Sequence, residues 1–585
     1  MRGILRWLWR HRWRIGAGLI VLLVIDAVQM VLPWLVGRAI DDFARGHQDQ
    51  AGRFAALILV TGLVMASLRF FWRYLLIGAA RRIRRDLRSH IYAHLLRLEP
   101  AFYDAKPTGE LMALATNDID AVTQACGFGM LALFDALFLV AFTIVAMSLI
   151  APELLFQALA PLPVLAAFVV IAGRRIHGRF EVVQERFAGL TERVREAIAG
   201  VRVVKGFARE REFAADFAVG SKDYLRANFS LIRLSASFDP VIAALSGVAT
   251  VIVLWSGGRL AIDGTITIGG FVAFTTYLGM LTWPMMAIGW VINLLQRGSA
   301  SMKRIEQVLD RAPGIVDAPD AVSFPREAGI ACTALTFRYP QRRDVTGVHS
   351  SDEGRPALAG CAFDLNPGAT LGIIGLTGSG KTTLAHLLLR LVDPPPGTLS
   401  IGGVDVRRIR LDELRRHAAL VPQDPFLFAL SIRDNIRFAR PEATQDEVER
   451  AARLACIHDE IVGFPQGYDA MLGERGVTLS GGQRQRVAIA RAVIGDPRLL
   501  VLDDCLSAVD AATEAAVIAN LHGFLHERTA VVISHRIAAV QASDLILVFS
   551  HGTMVEQGVH VGLLASGGLY ARLADLQRAE EAIGS

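Results

Sequence analysis

The 585-residue sequence is poor in the residues that hold together a secreted scaffold or a zinc site. Its five cysteines (Cys126, Cys332, Cys361, Cys456 and Cys505) are odd in number, scattered and without CxxC spacing. Neither a disulfide framework nor a zinc centre is indicated, and buried thiols are the expectation. No cleavable secretory signal is expected, because the first hydrophobic run is too long for one and lacks a small-residue cleavage site. Proline and glycine are too sparse between the hydrophobic runs for disordered loops. Lysine and arginine are nearly absent from three short links, near 42–53, 151–153 and 257–265, which hold only Arg45, Arg53 and Arg259.

What is abundant is apolar surface. Hydrophobic residues make up 52% of the chain and the mean hydropathy is +0.39, so membrane spans are expected. The chain is also too long for a single core. Six apolar runs of spanning length lie at about 15–40, 54–80, 128–150, 154–173, 240–262 and 266–295. An even number returns the chain to its starting side. The segments between runs two and three and between runs four and five carry arginine clusters such as Arg81, Arg82, Arg84, Arg85 and Arg88, so the positive-inside rule puts both termini in the cytoplasm.

Those two segments, roughly 45 and more than 60 residues long, carry heptad-like apolar positions such as Leu87, Ile91, Leu95 and Leu98. They are expected to be long helices projecting into the cytoplasm, each turning at a short transverse segment, near Glu99–Thr108 and Gly206–Phe213. The first 14 residues interleave Trp7, Trp9 and Trp13 with arginines, the pattern of an interfacial helix or of the basic flank of the first span. Asp26, Gln29, Arg69, Arg73 and Asp135 sit inside apolar runs. A mid-membrane carboxylate costs about 2.5–3.5 kcal/mol, so these residues should face the bundle interior or water. Asp26 and Asp135 either meet a cationic substrate or pair internally with Arg69 or Arg73. Pro33, Pro161, Pro163 and Pro284 should kink or open their helices.

After Leu295 the composition changes. Residues 298–329 form a charged connector, and from Ile330 short strands alternate with helices. The domain boundaries are therefore set at 1–297, 298–329 and 330–585. Leu371–Ile374 is a strand running into Gly375-Leu376-Thr377-Gly378-Ser379-Gly380-Lys381-Thr382, a GxxxxGK[ST] loop followed by an apolar helix. Gly378 and Gly380 let backbone N–H groups wrap phosphate, with Thr377 and Ser379 between and beside them. Lys381 reaches the terminal phosphates, Thr382 can ligate magnesium, and Thr383 adds a polar contact. A second strand, Leu499–Leu502, ends in Asp503, a magnesium ligand directly or through water, and Asp504, placed to aim a water. Ser480, Gly481, Gly482 and Gln483 open a helix, presenting N–H groups and a positive helix end to phosphate.

On these motifs residues 330–580 resemble the ATPase domain of an ABC transporter, and the six runs resemble the membrane half of an ABC exporter. The fold implied is multidomain: an all-α six-helix transmembrane domain followed by an α/β P-loop ATPase domain. The resemblance implies ATP and Mg2+ as cofactors and further roles. Tyr339 in FRYP would stack on adenine. Gln423 in VPQDPF would sense the γ-phosphate and its metal. LGERG at 472–476 matches an exporter-specific segment, Ser507–Asp510 the D-loop, and His535 in ISHR the histidine contacting γ-phosphate. In this family LSGGQ closes over the ATP of another domain, so a second half-transporter is implied. The helix pairs match the family's intracellular extensions. Membrane lipids and a small-molecule substrate are expected contacts; nucleic acid is not. The polar link 341–355 is longer than usual and receives no function.

One letter departs from the pattern, since the family normally carries Glu where Asp504 stands. A carboxylate misplaced by ~1 Å can lose about a hundredfold in rate. The site built on Lys381 and Asp503 is thus expected to bind ATP and hydrolyse it poorly, while the intact LSGGQ serves a partner. The LDD ending, the GERG segment and an acid in the third run together resemble the multidrug-resistance-like half-transporters of bacterial heterodimeric exporters. A homodimeric lipid flippase or exporter and an ATP-gated regulatory membrane subunit are the alternatives.

Overall fold

The computed structural model describes residues 2–47, 50–339, 356–473, 479–526 and 528–584. The link at 341–355 and Glu474, Arg475 and Gly476 of the LGERG segment lie outside them. The chain divides into two compact units, one of residues 1–96 and 108–311 and the other of residues 97–107 and 312–585.

The first unit is entirely helical. In order it contains α1 (Arg2–Arg10), α2 (Arg12–Ala44), α3 (Ala51–Leu95), α4 (Pro100–Ala105, which belongs to the second unit) and α5 (Thr108–Ala113). There follow α6 (Ile119–Gln124), α7 (Met130–Ile150), α8 (Pro152–Leu159), α9 (Leu162–Ala199) and α10 (Val201–Gly206). It ends with α11 (Glu210–Ala236), α12 (Phe238–Ile262), α13 (Ile268–Met280) and α14 (Thr282–Leu309). Two π-helical turns, Leu114–Asp118 and Ala125–Gly129, flank α6.

Among the described residues, five helical stretches are long and apolar enough to cross a membrane: Arg12–Ala44, Ala51–Leu95, Thr108–Ile150, Glu210–Ile262 and Ile268–Leu309. The sequence leads one to expect six. The fourth run breaks at Ala160 and Pro161, and beyond the break only residues 162–173 of α9 remain apolar before Arg174 and Arg175. Proline at 161 and 163 lacks the N–H that would carry α8 into α9, yet both fit the first turn of a new helix. Pro284 likewise sits in the first turn of α14, after a break at Leu281. Pro33 stays inside a continuous α2.

The expected helical extensions are present. Tyr224 of α11 lies 5.6 Å from Phe187 of α9, and Arg193 Nη1 donates to the Asp216 carbonyl at 3.0 Å. Arg84 of α3 pairs with Asp120 of α6 at 2.6 Å. The first transverse segment forms α4. The second is a turn at 207–209 preceded by the short α10, with Ala208 at φ +53°. α1 is a helix separate from α2. Asp26 is 1% exposed and faces the bundle interior. Among the described residues neither Asp26 nor Asp135 is ion-paired to Arg69 or Arg73, and Arg69 Nη2 instead donates to Gln29 Oε1 at 3.5 Å.

The second unit is built on strands β1 (Ile330–Phe337), β2 (Leu358–Leu365), β3 (Thr370–Gly375), β4 (Leu399–Ile401) and β5 (Val404–Asp405). It continues with β6 (Ala418–Val421), β7 (Leu499–Asp503), β8 (Thr529–Ile533), β9 (Leu545–Ser550) and β10 (Thr553–Gly558). Their order is β5-β4-β1-β2-β10-β9-β3-β8-β7-β6. The run β9-β3-β8-β7-β6 is parallel, and the β1, β2, β4, β5 group pairs antiparallel. β7 is buried at all five positions, which explains its unbroken LLVLD: a parallel strand covered on both faces has no polar side to present. In such sheets ligands collect at the carboxyl ends of the strands. Here four neighbours, β3, β8, β7 and β6, deliver the loop at 375–381, His535, Asp503 with Asp504, and Gln423 to the same edge.

Candidate functional site

The loop after β3 is shaped by two glycines in the left-handed region, Gly378 at φ +76° and Gly380 at φ +96°. A Cβ on Gly380 would lie 2.3 Å from the Ala357 carbonyl oxygen, so backbone approach as well as φ requires glycine there. The helix Lys381–Leu388 starts directly behind the loop, its N–H groups facing the loop's concavity. Lys381 is buried, and its ammonium donates to the carbonyls of Gly375 and Leu376 at 2.8 and 2.9 Å. Burial pulls it below the usual lysine range, while Asp504 and Asp503 oppose that shift. Ser379 is 2% exposed and its Oγ has no partner among the described residues. An orphaned buried hydroxyl and a buried cation occupied only by its own loop are what an anion-binding cradle presents.

At the end of β7, Asp503 is buried and accepts a bond from Thr382. Burial raises its carboxyl above the usual range; the Thr382 bond, His386 and Lys381 act against this, and Asp504 adds to it. A cation at this point would favour the ionised form. Among the described residues no group of three or more His, Cys, Asp or Glu side chains could hold a metal alone. Thr382 and Asp503 fit magnesium of the kind that takes its remaining ligands from phosphates and water.

Asp504 is set apart from Asp503 by its backbone, which is left-handed at φ +45° and pinned by its N–H to the Ile533 carbonyl at 2.8 Å. Aspartate tolerates this region better than longer side chains do. Gln423 Nε2 donates to Asp504 Oδ2 at 3.2 Å, joining the ends of β6 and β7. His535, Ser534, Ser507 and Asp504 line one cavity of about 280 Å³ beside the end of β8. Tyr339 is half exposed, packs edge-on to Phe337 at 5.1 Å, and its hydroxyl reaches Thr383 Oγ1 at 3.4 Å, leaving a ring face beside the loop's helix.

Ser480–Gln483 are organised differently. Ser480 caps the helix Gly481–Ile494 in a reciprocal box: Gln483 N–H donates to Ser480 Oγ at 3.2 Å and Ser480 N–H to Gln483 Oε1 at 2.8 Å. Gly482 is required by packing, since a Cβ would fall 2.8 Å from the Ala508 carbonyl oxygen. Among the described residues the hydrogen bonds of Ser480–Gln483 run to one another, to Glu460 and within their helix, and none reaches residues 375–383. The structure therefore brings together Gly375–Thr383, Tyr339, Gln423, Asp503, Asp504 and His535, and leaves the 480–483 motif outside that group.

Four residues had no signal of their own in the sequence. Gln485 Nε2 donates to the Gln423 carbonyl at 3.3 Å and to Ser507 Oγ at 3.2 Å, while its Oε1 accepts from Ala508 N–H at 3.1 Å. Glu460 holds both Gln483 Nε2 at 2.7 Å and Arg486 at 2.6 Å. Gln577, near the end of the chain, brackets His535 by accepting from Ile537 N–H at 2.8 Å and donating to the His535 carbonyl. Arg491 fixes the segment after Gln423 through Phe426 O, Asn435 O and Asn435 Oδ1 at 2.8–2.9 Å, and its burial depresses the guanidinium to about 10.

Comparison with known proteins agrees with this geometry. Residues 15–285 match the family model of the ABC transporter transmembrane region and residues 358–507 that of the ABC transporter ATPase. The chain belongs to the ABC exporter family. It is 38% identical to the multidrug resistance-like ATP-binding protein MdlA of Escherichia coli, over 99% of this chain and 97% of that one. It is 36% identical to the probable multidrug resistance ABC transporter YheI of Bacillus subtilis, over 98% and 97%. The solved structure of a bacterial Atm1-family ABC exporter with ATP bound matches with a TM-score of 0.79 at 26% identity, covering 97% of this chain and 98% of that one. As an ABC exporter the chain is a multi-pass membrane protein that binds nucleotide and couples ATP hydrolysis to transport.

Proposed function

We propose that this ABC exporter chain is one half of a heterodimer that exports amphipathic small molecules across a bacterial inner membrane, and that its own nucleotide site hydrolyses ATP weakly. In this reading MgATP sits on Gly375–Thr383 with Tyr339 against the base, and magnesium is held by Thr382, Asp503 and Gln423. Asp504 and His535 attend the γ-phosphate, and Ser480–Gln483 serve the partner's nucleotide. Both termini and the ATPase domain are cytoplasmic, following the arginine-rich inner segments.

The observation that carries the proposal is Asp504: a short carboxylate on a pinned backbone, bonded to Gln423, where a carboxylate would polarise the water that attacks the γ-phosphate. The separation of the Ser480–Gln483 motif from the chain's own phosphate loop supports a site completed in trans. The multidrug names of the MdlA and YheI relatives favour drug-like substrates. A homodimeric lipid exporter is the second reading, favoured by 29% identity to the ATP-dependent lipid A-core flippase of Syntrophus aciditrophicus. Crosslinking in native membranes, followed by ATPase assay of the chain alone and of any captured complex, separates the two. A complex with a different half-transporter that hydrolyses ATP faster than the isolated chain supports the heterodimer. Vigorous hydrolysis by the chain alone, crosslinked only to itself, overturns it.

A further inference from the structure

His535 stands in a short loop between β8 and the helical turn Ile537–Val540. Among the described residues its imidazole has no hydrogen-bond or ion-pair partner, so the direction of the ring is set by the backbone that carries it. That backbone is held from several sides. Ser534 N–H donates to the Ile373 carbonyl at 3.1 Å and Arg536 N–H to Ser534 Oγ at 3.0 Å. The Arg536 guanidinium pairs with the buried Glu514. The His535 carbonyl and the Ile537 N–H, on either side of Arg536, are both taken by the Gln577 side chain: Nε2 donates to the first, and Oε1 accepts from the second at 2.8 Å. A neutral amide offers a donor end and an acceptor end, so one side chain satisfies both groups.

Gln577 is brought there by the helix Leu569–Gly584. Tyr570, Ala574 and Gln577 follow at i, i+4 and i+7 and so share one face of it. Tyr570 and Ala574 are buried in one apolar cluster with Ile374, Ile537 and Val540. Ile374 directly precedes the phosphate loop and Ile537 lies two residues past His535, so the helix packs against the supports of both. Its start is anchored by Glu556 of β10, whose carboxylate accepts from the N–H groups of Leu569 and Tyr570. The Tyr570 hydroxyl meets His560 Nδ1 at 2.7 Å. A helix fixed at its start and along its apolar face holds Gln577 at a defined distance from the loop.

We infer that Gln577 is a positioning residue for His535: by clamping the 535–537 backbone it keeps the imidazole where it meets the γ-phosphate of bound ATP. The inference rests on the reading above that His535 attends that phosphate. Gln577 acts through the backbone and not on the nucleotide. A hydrogen bond to phosphate weakens steeply once its distance and angle are lost, so a loop released at this point costs the γ-phosphate contact first. ADP, which lacks that phosphate, is indifferent to the change.

The test uses the full-length chain in lipid nanodiscs with magnesium. It reads the affinities of a non-hydrolysable ATP analogue and of ADP by competition against a fluorescent nucleotide. Gln577→Leu, which removes both bonds, should narrow the preference for the triphosphate over the diphosphate about tenfold while ADP affinity stays as in the wild type. Unchanged ADP affinity also shows that the phosphate loop is folded. Gln577→Glu keeps the acceptor for Ile537 and loses the donor for His535, and should fall between Gln577→Leu and the wild type; it carries the test if the leucine variant does not fold. In a double-mutant cycle Gln577→Leu should add nothing to His535→Ala. If His535→Ala narrows the preference while Gln577→Leu and Gln577→Glu keep the wild-type value, or if the double variant shows the sum of the single effects, the positioning role is overturned. If His535→Ala itself leaves the preference unchanged, the reading of His535 at the γ-phosphate fails, and the role of Gln577 falls with it.

Discussion

Replacing Asp504 by Glu is expected to raise, not lower, hydrolysis in the site formed by this chain's own phosphate loop. The backbone at 504 is held by its N–H bond to the Ile533 carbonyl at 2.8 Å, so side-chain length decides where the carboxylate stands. At present Oδ2 stops at Gln423 Nε2, 3.2 Å away. One additional carbon–carbon bond lengthens the reach by about 1.5 Å. A misplacement of ~1 Å at a catalytic group is worth about a hundredfold, or about 2.7 kcal/mol of barrier. Restored reach should therefore speed the chemical step by up to about two orders of magnitude. The opposing cost lies in the backbone: φ is +45°, where Glu is less tolerated than Asp, and that penalty of about 1 kcal/mol falls on stability. The assay is single-turnover phosphate release in nanodiscs, measured for the assembled exporter with the partner's own hydrolytic site disabled, alongside the thermal midpoint. A faster burst with a slightly lower midpoint is expected. A rate unchanged by Asp504→Glu, with nucleotide binding intact, would refute the claim that carboxylate reach limits this site.

Three further outcomes follow from the same geometry. Tyr339→Ala should weaken nucleotide binding about five- to tenfold while Tyr339→Phe stays near wild type, because the ring face matters and the 3.4 Å bond to Thr383 is long; equilibrium titration with a fluorescent ATP analogue measures both. Gln485→Leu removes three hydrogen bonds that tie the Gln423 and Ser507 segments together, and should cost about 1–3 kcal/mol of stability and lower kcat more than it raises KM; chemical denaturation and steady-state kinetics report these. His417 supplies a pH dependence. Its imidazole lies below the usual 6.5, chiefly through burial, with Arg498 and Arg416 adding and Glu413 opposing. The folded domain thus binds this proton less readily than the unfolded chain, so the stability His417 contributes is present above about pH 6.5 and is lost as pH falls below it. Thermal midpoints between pH 7.5 and 5.5 should drop on acidification, and His417→Gln should flatten the slope.

The nucleotide site was legible wherever its chemistry is written in a short local pattern. The strand–loop–helix at 371–388 is contiguous, so composition alone places Lys381 and Thr382. Leu499–Asp503 is legible because a strand buried on both faces must be apolar until it reaches the edge where its carboxylates work. Gln485, Glu460, Arg491 and Gln577 escaped because each acts on a segment distant in sequence: Gln577 lies 42 residues from the His535 it brackets. The break within the fourth apolar run escaped for a related reason. Hydropathy adds residues 154–173 into one run, whereas Pro161 and Pro163 decide that no single helix crosses the break.

By itself the sequence determined the division into apolar helices and an α/β ATPase, the identity of the phosphate loop, and the one-carbon deficit at Asp504, since each is a property of contiguous residues. Only the tertiary structure decided that β3, β8, β7 and β6 end side by side, that Asp504 is held left-handed with its oxygen on Gln423, and that Ser480–Gln483 stand apart from their own chain's phosphate loop. Those outcomes depend on strand order and long-range hydrogen bonds, which fix where side chains meet and leave no trace in the spacing of the residues that make them.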